Sequence, residues 1–150
     1  MKKALIAAAL PFAIAACGGG DADMDSSAET PAAEASAGTV TIITPMDGAL
    51  INGSTVTVTL SSTVEIVPAG EMTQGTGHHH LYLDEDLTAA DVPVPSVPNS
   101  IVHMGDASSS FVFENVPAGE HRIIAVVADG VHVPLQPWVV DTVTFTVQND

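Results

Sequence analysis

The run Gly75-Thr76-Gly77-His78-His79-His80-Leu81 sets three of the chain's six histidines side by side, deep inside a sequence of 150 residues. Neutral imidazole is a common transition-metal ligand, and it is the obvious one for a chain with a single cysteine. Successive side chains of an extended strand point to opposite faces. His78 and His80 therefore share one face, while His79 turns the other way in register with Leu81 and Leu83. At most two of the triplet can readily share a site. Further ligands are expected from His103 or His132, with Met104 as a soft supplement or Asp106 as a hard one. The candidate metal set is thus His78, His79, His80, His103 and His132. Imidazole with thioether favours copper, and imidazole with carboxylate suits zinc equally well. A metal-free arrangement stands beside this one: a hydrogen-bonded histidine cluster, with His79 at the core edge bonded to a backbone carbonyl.

The remaining polar groups offer less. Asp84-Glu85-Asp86 lacks the spaced oxygen ligands and turn glycine of a calcium loop and reads as a solvated acidic turn. His121, beside Arg122, reads as a turn-end residue. No nucleophile elbow, phosphate loop or HExxH motif occurs, and the spacing of Ser, His and Asp selects no triad. The expectation is a protein that is not an enzyme.

The elements that must position the histidines are strands. Alternation begins at Thr39 and predicts strands over 39–44, 54–60, the histidine run to Leu83, 100–104, 109–116, 121–128 and 139–147. Turn signals at Pro45-Met46-Asp47-Gly48, Asp106-Ala107-Ser108, Pro117-Ala118-Gly119 and Asp129-Gly130 separate them. About seven short strands in roughly 110 residues predict an all-β, immunoglobulin-like β-sandwich over 39–150. Pro93, Pro95 and Pro98 bar 85–99 from a central strand and make it a long edge crossover. Trp138 and Val139 are expected to plug one end of the sandwich. Counting strand directions brings five of the six histidines to one end, with His121 at the other.

Ahead of the domain, residues 1–16 combine Lys2-Lys3 with an apolar run too short to span a bilayer, ending in Ile14-Ala15-Ala16-Cys17. This resembles a bacterial lipoprotein signal peptide with its lipobox, which implies cleavage before Cys17 and a membrane anchor of several acyl chains on it. Gly18, where inner-membrane retention usually takes Asp, points to the outer membrane, facing the periplasm. Residues 17–38, rich in Gly, Ala, Ser and acid, read as a flexible acidic linker. With Cys17 lipidated no disulfide is available. With Lys2 and Lys3 removed, Arg122 alone faces 18 acidic residues. Such a field repels nucleic acid and attracts cations, although an acidic surface is also common in proteins adapted to salt.

Several motifs together resemble the domain of unknown function 4399 family. They are Gly75-Thr76-Gly77-His78-His79-His80-Leu81 with Asp84; His103 before Gly105; Pro117-Ala118-Gly119-Glu120-His121; and Asp129-Gly130-Val131-His132-Val133-Pro134. The resemblance covers roughly 70–148 and implies a small exported bacterial β domain with no established activity. Ile101 and Leu135 stand where it would place further histidines, and Met104 where it would place an aromatic. Two functions follow as expectations: an envelope lipoprotein binding copper or zinc, or a non-enzymatic interaction module whose protein partner is not identified.

Overall fold

The computed structural model describes residues 38–149. The signal peptide, Cys17 and nearly all of the linker fall outside them. The described residues form nine strands and no helix: β1 (Val40–Thr44), β2 (Ala49–Asn52), β3 (Val56–Ser62), β4 (Glu65–Ile66), β5 (Thr76–Leu83), β6 (Ile101–Met104), β7 (Ser110–Phe113), β8 (Gly119–Ala128) and β9 (Val140–Gln148). One sheet has the order β1-β3-β7. The other runs β2-β9-β8-β5-β4, with β6 pairing the same edge of β5 as β4. The inner faces of both sheets build one core. Val40, Ile42, Val56, Val58, Leu60 and Phe113 from the smaller sheet meet Leu81, Ile123, Ala125, Val127, Val143, Phe145 and Val147 from the larger. This is an immunoglobulin-like β-sandwich.

The alternating stretches became strands because period-two patterning buries one face of each, as in the buried-exposed-buried opening of β3. Two short strands add to the seven expected. Ala49–Asn52 lies parallel to β9, and Glu65–Ile66 lies parallel to the start of β5. The end plug is also different: Val139 is buried, whereas Trp138 stays 36% exposed. The loop seats the smaller branched side chain inside and leaves the indole at the surface.

β5 departs from the one-sided pattern, since all eight of its residues are buried. Leu81 and Leu83 face the sandwich core. Tyr82 faces outward into a second cluster with Val94, Ile101, Ile124, Val126 and Ala128, against which Leu87 packs. Val94 and Leu87 belong to the proline-rich crossover, which therefore lies over the outer face of the sheet rather than along an edge. Hydrogen bonds pin it there. Tyr82 Oη and Thr88 Oγ1 are 3.0 Å apart, and Val94 N donates to His132 O at 2.9 Å. The outer face of β5 is consequently dry enough to hold side chains away from water.

Candidate metal centre

Sheet register brings the histidines together. His80 pairs directly with His103 on β6, and opposite residues in a ladder project to the same side. His78 and His80, two residues apart, project to that side as well. His132 arrives from the loop after β8. Asp129 Oδ1 accepts from Val131 N and Val133 N, both at 2.9 Å, and His132 N donates to Asp129 O at 2.9 Å. This tight turn leaves His132 in the left-handed region at φ 71°. For a residue with a side chain that conformation is unfavourable, and such positions concentrate at functional sites.

The four rings converge. All six pairs of centroids lie 4.6–5.6 Å apart, most of them edge-to-face. His78 Nε2 and His80 Nε2 are 3.0 Å apart, and His103 Nε2 and His132 Nε2 are 3.2 Å apart. One ligand nitrogen from each of His78, His80 and His103 falls within 4.8 Å of the others. Nitrogens on a tetrahedral zinc, each ~2.0–2.1 Å from the metal, are separated by ~3.3–3.4 Å. The two closest nitrogen pairs, at 3.0 and 3.2 Å, are near that spacing.

Electrostatics keep His78 and His80 neutral and so ready to ligate. Burial, followed by repulsion from His103 and His132, pushes His78 down to about 4. Burial and repulsion from His78, His103 and His132 push His80 down to about 3. His103 is lowered by burial and by His132, against the opposing pull of Asp106. His78 and His80 are fully buried, His132 is half-buried and His103 is exposed. Access to the centre is therefore from the side of His103 on the edge strand and His132 on its loop.

The other expected ligands lie elsewhere. His79 faces the core, where its Nδ1 lies 3.0 Å from Ser108 O, the core-edge role that alternation allowed. It cannot join the centre, because the backbone of β5 stands between. Burial lowers its pKa as well, with the Ser108 carbonyl opposing. Met104 pairs with His79 and is buried in the sandwich core, so it supplies no thioether to the four rings. Asp106 Oδ1 accepts from Ser108 N at 3.0 Å, and its carboxylate is not among the converging ligand atoms. His121 sits at the opposite end of β8. Its Nδ1 is 2.7 Å from Asp84 Oδ2 and its Nε2 is 2.9 Å from Pro117 O. The acidic turn is thus a latch rather than a free surface. Asp84 Oδ1 accepts from Arg122 N at 2.9 Å, and Asp86 pairs with Arg122 at 2.7 Å.

Two residues that the sequence marks only as turn and motif positions support the site. Asp129 shapes the turn that presents His132; an Asp-Gly pair three residues before a histidine is its signal. Gly105 leaves room for the His103 ring, since a Cβ there would fall 2.4 Å from Cε1 and 2.6 Å from Nε2 of His103. A glycine immediately after a strand is too common to announce such a contact.

The model of the domain of unknown function DUF4399 matches residues 56–148, most of the sandwich and every histidine. The chain belongs to the DUF4399 family. The match extends the resemblance drawn from the motifs back through β3. Comparison with curated proteins returns no match. Among solved structures, this DUF4399 chain is similar to the fibronectin(III)-like modules of Clostridium thermocellum CbhA, at 12% identity and a TM-score of 0.47, over 74% of this chain and 98% of that one. An engineered protein is similar at 12% identity and a TM-score of 0.42, over 74% of this chain and 20% of the other.

Proposed function

We propose that this protein is a lipid-anchored envelope lipoprotein, held at the outer membrane through Cys17 and facing the periplasm, whose sandwich binds one transition metal ion, copper or zinc. It acts as a metal-binding module and not as an enzyme. The observation that carries the reading is the convergence of His78, His80, His103 and His132, three of them from two paired strands and the fourth from a strained turn. Facing imidazoles at these distances disfavour protonation beyond the shared ring protons, and a metal ion would take up the four lone pairs instead.

The competing reading is a metal-free interaction module. Two histidine pairs already at hydrogen-bond distance favour it. His78 Nδ1 and His80 Nδ1 are buried without partners in either reading, and a metal bound at Nε2 would offset that cost by more than one shared hydrogen bond does. One preparation tests the whole proposal: the full chain, extracted from membranes with detergent, should carry acyl mass on Cys17 and one equivalent of copper or zinc. The His78→Gln/His80→Gln variant should lose the metal and His79→Gln should keep it. A chain without acyl mass, or one that takes up no more metal than the double variant, would refute the corresponding half.

A further inference from the structure

The identity of the ion follows from charge, given the metal centre just described. Every donor of the centre is neutral. Histidines that bind divalent zinc usually hand their second ring nitrogen to a carboxylate or carbonyl, which adds electron density to the ligand. Here His78 Nδ1 and His80 Nδ1 are buried and without partners. The nearest carboxylates are engaged by main-chain amides: Asp129 by Val131 and Val133, and Asp106 by Ser108. They attract a cation through space but do not coordinate it.

The cost of burying an ion grows with the square of its charge, so a divalent ion in this shell costs about four times what a monovalent one does. Geometry bears on divalent copper alone. The nitrogen pairs at 3.0 and 3.2 Å come from rings that are largely edge-to-face, so the four rings are not laid out as a flat square. Divalent copper prefers a square or tetragonal arrangement, whereas a filled d shell imposes no such demand. A soft donor also stands beside the loop that carries His132. Met72 is 65% exposed, and its Sδ would lie 2.8 Å from a Cβ on Gly130. Thioethers select monovalent copper.

We propose that the physiological ion of this centre is Cu(I), held by the Nε2 atoms of His78, His80, His103 and His132. The test uses the purified full chain, kept anaerobic. Cu(I) is titrated against a chromophoric Cu(I) chelator and Zn(II) against a chromophoric zinc chelator, and the midpoint potential of bound copper is measured. One Cu(I) per chain is expected, held at least about 100-fold more tightly than Zn(II). Bound copper should also favour the reduced form by at least about 100-fold relative to copper with free imidazole. That preference raises the midpoint potential by about 120 mV, at 59 mV per tenfold for one electron. Equal or tighter binding of Zn(II) or Cu(II), or an unraised potential, overturns the assignment of the ion and leaves the metal centre standing. Failure of every ion to bind overturns both.

Discussion

Mild acid should strongly destabilise the metal-free protein. His78 and His80 are held neutral, near 4 and near 3, whereas an unfolded histidine titrates at 6.5. Between those values the unfolded chain binds protons that the folded chain does not. Stability is therefore complete above pH 6.5 and is lost as the pH falls toward the folded values. Each histidine contributes about 1.4 kcal/mol per pH unit in that window. At pH 5, about 1.5 units below the unfolded value, the two together remove about 4 kcal/mol. His79, shifted in the same direction, adds to the loss. Small domains are stable by about 5–15 kcal/mol, so this is a large share of the total. With a urea dependence of about 1–2 kcal/mol per molar, the midpoint should fall by about 2–4 M between pH 7 and pH 5. Urea titrations followed by circular dichroism, with a strong chelator present, measure it. The His78→Gln/His80→Gln variant should show a much flatter response. A midpoint that moves by less than about 0.5 M in the parent protein would mean that the folded state accommodates the protons, and the neutral buried cluster would have to be abandoned.

Two further substitutions probe the positioning of the site. Gly105→Ala puts a methyl group into the His103 ring, so His103 must swing away; metal affinity should drop at least about tenfold while the circular dichroism spectrum stays that of the parent. Unchanged affinity would show that His103 is not a ligand. Asp84→Ala removes the acceptor for Arg122 N and the partner of His121, and should lower stability by about 1–2 kcal/mol in thermal or urea melts. Because that latch lies at the far end of β8 from the four rings, metal affinity should not change.

Much of the fold was legible because its strands bury one face. Alternation marks β1, β3 and β9, and the turn residues between runs mark where they end. β2 and β4 are short and owe their existence to partners, β9 and β5, that are distant in sequence; nothing local distinguishes Ala49–Asn52 from turn. The crossover escaped for a related reason. Its prolines say what it cannot be, but only the outward Tyr82 cluster says where it goes. Within the site, the period of two was enough to separate His79 from His78 and His80. The same rule applied to β6 would have set Met104 opposite His103 and removed it from the ligand set. The meeting of His80 with His103 is a matter of register, and that of His132 with both depends on a turn closed by Asp129. Neither is written in local spacing.

Because β5 is paired along both edges and covered on both faces, it belongs to the part of the sheet that opens last. His78 and His80 thus stay at pleat spacing for as long as the protein is folded at all. His103 and His132 ride on an edge strand and a loop, which fluctuate at far lower cost. In the proposed metal centre, release of the ion would need only two rings to lift from a fixed pair, on the timescale of loop motion and without any loosening of the core.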